Sequence, residues 1–426
     1  MPTFTTDVAG ALGGPAWLAE RRVAAAERAD AMALPSPDEE VWRYSRVAEL
    51  DLDGYHLPTG ADEAVGRPVA DVQAVLDLVA DRAATVVLHE GRPVLVEVDP
   101  ALADAGLVVA AASTLPDDPG VLGGVLDEPA DVFDALNAGF AIDPVIIDVP
   151  RGMVLPGPIV VVGWVDLEHT IAFPSLSIRL GEGAEASVLD WHGGADVDAV
   201  VVPVVELDAG QGASLRYAQV QDRSARTWQL GHQVARVGRD ATVSVTQAAL
   251  GGTYARSRTD CRLVGRGAHG DLAAIYAGDG DQTLDFRTFQ VHEAPDTTSN
   301  LLFKGALDDT SRSVYTGTIR IEKEARRANA FQTNRNLKLS DGAWAESVPN
   351  LEIENNDVHC SHASTVGPID EDQRFYLESR GVPTPVAERL VVAGFFDEVL
   401  TRLPVSGAAD AVRGEIAGWL TRRDEP

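Results

Sequence analysis

Gly181-Glu182-Gly183-Ala184, Gly210-Gln211-Gly212-Ala213, Gly238-Arg239-Asp240-Ala241 and Gly265-Arg266-Gly267-Ala268 are four copies of one pattern, G-x-[GD]-A, with starts 29, 28 and 27 residues apart. An alternating stretch precedes most copies, as in Leu176-Ser-Ile-Arg-Leu180 and Cys261-Arg-Leu-Val264, and another follows, as in Thr242-Val-Ser-Val245. A fixed period of this size, built of strand, glycine turn and strand, predicts a solenoid whose rungs satisfy their ladder groups only by stacking. Glycine supplies the positive φ where the chain turns a corner. The expected architecture is therefore mainly β: a right-handed parallel β-helix over 151–370, with Ala184, Ala213, Ala241 and Ala268 stacked in successive rungs. A phosphate-binding reading of G-x-G fails because the third glycine and the following helix are missing.

Outward from this core the pattern changes. Residues 1–60 read as an N-terminal helical region, with Trp17, Leu18, Val23, Ala24 and Ala31 at helical spacing and Pro35 and Pro37 closing the helix. Glu39 to Ser45, an aromatic-basic turn containing Trp42 and Tyr44, reads as a small element docked on the main body. Residues 61–150 read as mixed α/β, with a hairpin around Glu90-Gly91-Arg92 and a short helix from Asp131 to Phe140. Beyond Ala268 strands continue without a clean repeat. Gln332, Asn334 and Asn336 lie two apart and share a strand face, either as an amide ladder inside the β-helix or as a solvated edge. Residues 371–426 read as a C-terminal helical domain. Its first helix has acids early and Gly381 after it, its second follows Pro385 and stops at Pro404, and its third runs from about Ala408 to Arg422.

Composition narrows the function classes. The 426 residues carry a formal net charge of −30, which argues against a nucleic-acid or anionic-membrane partner. The lysines are Lys304, Lys323 and Lys338, and none sits in a G-x-x-x-x-G-K-[ST] loop, so ATP chemistry would have to come from a partner. The N-terminus lacks a basic region followed by an apolar run, and no apolar stretch approaches bilayer length, so the expected location is the cytoplasm. Two cysteines, Cys261 and Cys360, exclude a disulfide scaffold and a four-cysteine metal site built by this chain alone.

The densest chemistry is Asp357-Val358-His359-Cys360-Ser361-His362. In a strand Cys360 and His362 share one face and His359 and Ser361 the other. A thiolate beside an imidazole is half of a soft-metal site, which folding or a second chain would have to complete. A hydrolytic Cys-His pair needs an orienting third group and a pocket, and neither is legible. Glu352 and Glu354 suit a solvated strand face at least as well as acid–base work.

The run Pro349 to Gly367, containing Leu351-Glu-Ile and Asp357-Val-His-Cys-Ser-His362, resembles the carboxy-terminal signature of the SufB/SufD family. Phe375-Tyr-Leu-Glu-Ser-Arg-Gly381 is similar to the same family, and Glu40-Val-Trp-Arg-Tyr-Ser45 to the entry motif of its D-type branch. Cys360-Ser361-His362 also matches the D-type pattern. Ala363-Ser364 departs from it, since the family usually shows Gly-Ala there. The resemblance implies a non-catalytic scaffold for iron–sulfur cluster assembly by the SUF system. It implies pairing of B-type (SufB) and D-type chains through their β-helices, and an ABC-type ATPase (SufC) docked on the C-terminal helices. On that reading Cys360 and His362 form an interfacial half-site for a transient Fe-S cluster shared with the partner chain. Phe375, Tyr376, Arg380, Leu390 and Phe396 are the candidates for ATPase docking. Reduced flavin is associated with such complexes, but no flavin site is identifiable in the residues. Whether the isolated chain forms a homodimer is left open. The competing expectation is a cytoplasmic β-helix enzyme acting on a polysaccharide. A hexapeptide-repeat acyltransferase is disfavoured by a period near 28.

Overall fold

A computed structural model describes residues 3–58 and 70–423. The expected boundary at 60/61 lies outside the described residues. Two sheets dominate, one of 10 strands and one of 11, here called front and back. From Val204 onward the chain alternates between them, giving one strand to each per coil, and every like neighbour pairs in parallel. The result is a β-solenoid of about 8 turns with helices at both termini.

The tetrapeptide forms one corner of each coil, and its two glycine positions do different work. The third residue takes the left-handed conformation: φ is +67° at Gly183, +67° at Gly212, +52° at Asp240 and +73° at Gly267. The first residue needs to be glycine for space. A methyl group at Gly238 would sit 2.7 Å from the Ala209 carbonyl oxygen, and one at Gly210 would sit 2.9 Å from the Leu180 oxygen. The alanines close the corner inward, each at most 1 % exposed. They stack: Ser214 N donates to Ala184 O at 2.9 Å, Thr242 N to Ala213 O at 2.8 Å and His269 N to Ala241 O at 2.9 Å.

The repeat does not end at Ala268. Asp296 (φ +62°) and Arg327 (φ +57°) make the same turn, followed by fully buried Thr297 and Ala328. The periodicity faded from the sequence because non-glycine residues take the left-handed position in these coils. Asp tolerates that region better than most residues, and the stacked coils hold Arg327 there.

The interior is apolar on one side and polar on the other. Leu180, Ala209, Val237, Leu263, His292 and Ile321 fall in register along one inward column of the back sheet. Elsewhere Tyr217 Oη donates to Asp190 Oδ2 at 2.6 Å, Gln233 Nε2 to Gln219 Oε1 at 2.8 Å, and Gln247 Nε2 to Gln233. Gln332, Asn334 and Asn336 belong to this interior, each at most 2 % exposed. Asn336 Nδ2 donates to Asn334 Oδ1 at 2.8 Å and Asn334 Nδ2 to Tyr276 Oη at 2.9 Å, so the solvated-edge alternative is excluded. The Asn334 and Asn336 amides are thereby paired, while Gln332 Oε1 has no hydrogen-bond partner among the described residues.

The sheets begin before the expected boundary at 151. The hairpin Ala84–His89/Arg92–Val98 turns through Glu90 and Gly91 at positive φ, and its first strand pairs in parallel with Ile159–Val165. Its second strand closes that end of the front sheet antiparallel, and Val108–Ala111 does the same for the back sheet. The N-terminal helices Thr6–Ala11 and Ala16–Asp30 lead to the aromatic-basic turn, which docks on the back sheet. There Arg256 lies 3.7 Å over the Trp42 ring and donates to Val41 O at 3.0 Å, while Arg287 donates to Arg43 O at 2.6 Å. Asp285, fully buried, holds both arginines.

The C-terminal helices Glu371–Glu378, Thr384–Leu400 and Ser406–Arg422 follow the last strand. Val392, Phe396, Val399 and Leu400 cluster with Val162, Val220, Ala248 and Ile275 on the outer face of the front sheet. No described helix is long and apolar enough to cross a membrane.

Candidate functional site

The last coil consists of Trp344–Ile353 in the back sheet and His359–Gly367 in the front sheet, and each is the terminal strand of its sheet. One side of each ladder therefore has no partner among the described residues; the opposite end also finishes in edge strands, Arg92–Val98 and Val108–Ala111, but those run antiparallel to their neighbours. Edge groups of this kind are templates for further pairing.

Register fixes which side chains face the opening. Cys360 pairs with Ala330 and His362 with Gln332, and both partners are fully buried, so these columns point inward. Ser361 pairs with Phe331, which is 43 % exposed on the outer face. The back strand contributes Leu351 and Ile353, in register with fully buried Ile319 and Ile321. At the end of the solenoid these two are 37 % and 44 % exposed, and Val366 is 42 % exposed. An inward pattern without a coil above it becomes an apolar rim around Cys360 and His362. The sequence carried this signal in the alternation of Leu351 and Ile353, but nothing marked that coil as the last.

Cys360 is half-buried beside Ile319, Ile321, Ala328 and Ala330. Burial raises its thiol above the usual range, so at neutral pH it is protonated and a metal would have to displace the proton. His362 is exposed. Among the described residues no third His, Cys, Asp or Glu ligand atom lies within 4.8 Å of both. Cys261 is fully buried three strands in from the back edge, roughly 14 Å at about 4.8 Å per strand. Burial, with Asp271 and Asp260 nearby, pushes its thiol to about 12. Among the described residues, three His, Cys, Asp or Glu ligand atoms come within 4.8 Å of one another at His89, Glu90 and Asp166. The Glu90 carboxylate there is engaged by the Asp166 and Leu167 amides and by Thr170 Oγ1.

The docking candidates divide. Phe375, Tyr376 and Leu390 are 69 %, 58 % and 51 % exposed, and the Arg380 guanidinium lies 5.2 Å over the Tyr376 ring. Tyr376, Leu377, Leu390 and Phe395 line a groove of 930 Å³ between the first two C-terminal helices. Phe396 is a correction: it is fully buried against the sheet and cannot meet a partner. Successive residues on a helix point about 100° apart, and the apolar run did not reveal which side the sheet would claim.

Comparison with known proteins adds the following. Residues 164–395 match the family model described as SUF system FeS cluster assembly, SufBD core domain. An iron–sulfur cluster assembly SufBD family protein of Mycobacterium tuberculosis is 33 % identical over 378 residues, covering 84 % of this chain and 88 % of that protein. The iron–sulfur cluster assembly protein SufD of Bacillus subtilis is 28 % identical over 407 residues, 92 % of each chain. SufD of Escherichia coli is 26 % identical over 392 residues, 91 % of this chain and 89 % of that one.

Proposed function

The chain belongs to the SufBD family of SUF-system iron–sulfur cluster assembly proteins, as a SufD-like member, and we propose that it is a non-catalytic cytoplasmic scaffold subunit whose open coil receives a SufB-type partner. The observation that carries this reading is the uncovered apolar rim: at the last coil the inward Leu351, Ile353 and Val366 are exposed, whereas at the other end Val96, Val98 and Leu102 pack against the core. A partner solenoid added end to end would extend both sheets and bury Leu351, Ile353 and Val366.

Cys360 and His362 would then face the partner across the junction. The chain offers a thiol and an imidazole, and a nascent Fe-S cluster, as cargo, needs further donors that the partner would supply. The half-burial that keeps the Cys360 thiol protonated suits a ligand that loads only when iron arrives. The exposed Phe375, Tyr376 and Leu390 support docking of a SufC-type ABC ATPase on the C-terminal helices, consistent with a chain that has no nucleotide loop of its own.

The test is co-expression with SufB- and SufC-type chains. The double variant L351E/I353E should leave the subunit folded and abolish its recovery with the SufB-type chain. Undiminished recovery overturns the end-to-end reading.

A further inference from the structure

On the outer face of the front sheet, beside the end of the long C-terminal helix, lies a groove of 560 Å³. Arg216, Arg335 and Arg402 line it from three separate elements: strands Ser214–Gln221 and Asn329–Lys338, and the turn after Leu400. All three are exposed, and among the described residues none of their guanidinium groups has a hydrogen-bond or ion-pair partner.

Several outward arginines elsewhere reach a carboxylate on the adjoining coil, as Arg236 does to Asp208 at 2.6 Å and Arg262 to Glu293 at 2.8 Å. In the groove the carboxylates are already taken. Glu398 Oε2 accepts from Lys304 Nζ at 2.7 Å, and Asp271 is held by His269 at 2.8 Å and Asn300 at 3.1 Å. The coil neighbour of Arg335 is Lys304, a like charge, and that of Arg216 is Ser244. On a chain of net charge −30, three guanidinium groups without a hydrogen-bonded carboxylate thus converge on one concave surface, their charge offset only in part by the nearby Glu398 and Asp271.

We propose that this groove binds a small, multiply charged anion of the phosphate or polycarboxylate kind. Its volume falls in the roughly 300–1,000 Å³ range of small-molecule sites. The planar guanidinium fork matches the paired oxygens of either group. Ser244, Thr246 and Thr333 line the same groove and add hydroxyl donors. The site lies on the outer face of the sheet and does not depend on the open coil having a partner.

The test is calorimetric titration of the full chain with inorganic pyrophosphate and, separately, citrate. Saturable binding that weakens with added salt is expected, and the tighter of the two probes tells a phosphate from a carboxylate ligand. The triple variant R216Q/R335Q/R402Q should bind about tenfold or more weakly, since each lost charged hydrogen bond is a large fraction of such an affinity. These side chains are exposed, so the variant should keep its melting temperature, and a second variant, R402Q alone, guards against misfolding of the triple. Absence of saturable binding to the natural chain overturns the proposal. So does a folded triple variant, or a folded R402Q, that binds as tightly as the natural chain.

Discussion

Ala330 and Cys360 occupy the same inward position on successive coils, yet Ala330 is fully buried and Cys360 only half. The difference is one missing coil. The pair defines the rim at which the stack of coils stops.

That rim should be separable from the fold. Leu351→Glu and Ile353→Glu should each weaken pairing with a SufB-type chain by about 2 kcal/mol or more, as for apolar anchors in an interface. Because both side chains are partly exposed in the lone subunit, its own unfolding free energy should move by roughly 0.5 kcal/mol or less. Analytical ultracentrifugation and urea titration measure the two effects. Equal loss of stability and of pairing would contradict the assignment.

His362→Ala distinguishes ligand from structural contact. If the imidazole ligates cargo iron, cluster content per purified complex should fall while assembly with both partners is retained, as read by iron and sulfide analysis. Failure to assemble, with normal cluster content in whatever complex forms, would make His362 a purely structural interface residue.

The C-terminal helices call for point variants, because truncation after 382 would strip the apolar cover from the front sheet. Tyr376→Ala and Leu390→Asp should reduce ATPase recovery without a change in melting temperature. Phe396→Ala should do the reverse, destabilising the chain by about 3–5 kcal/mol through a buried cavity.

The two glycine positions of the corner should respond differently to alanine. Gly183→Ala meets open space but holds φ at +67°, and should cost about 1 kcal/mol. Gly238→Ala drives a methyl to 2.7 Å from the Ala209 carbonyl and should cost about 2–3 kcal/mol, as overpacking does. Urea denaturation of both variants gives the order, and the reverse order would refute the division of roles.

Stability should fall on both sides of neutral pH through two buried histidines. Burial favours the neutral ring of His232, but Asp134 and Asp260 outweigh it and raise its pKa to about 10. Its contribution is complete below its unfolded value of about 6.5 and is lost as pH rises toward 10. His292, bonded to Thr297 and Ser299, is pushed by burial down to about 4, so stability is lost as pH falls from about 6.5 toward 4. Melting temperatures of His232→Gln and His292→Gln across pH 4–10 should each flatten one limb. A variant that flattens neither removes the linkage.

Much of this architecture is local and was therefore readable in sequence. The G-x-[GD]-A corner is a backbone requirement, since the third residue must reach positive φ and the first must lack a side chain, and chemistry of that kind leaves a signature. The alternation of Cys360 and His362 placed them on one face for the same reason. The short helix from Asp131 and the hairpin at Glu90-Gly91 were equally local. What only the tertiary structure decided depends on neighbours distant in the chain. It carried the coils past Ala268 through Asp296 and Arg327, because stacking holds non-glycine residues in a conformation that local propensity disfavours. It turned Gln332, Asn334 and Asn336 inward and buried Phe396 while exposing Phe375. It also left Leu351, Ile353 and Val366 uncovered, because exposure at the end of a stack depends on whether another coil follows, and no residue within the coil encodes that.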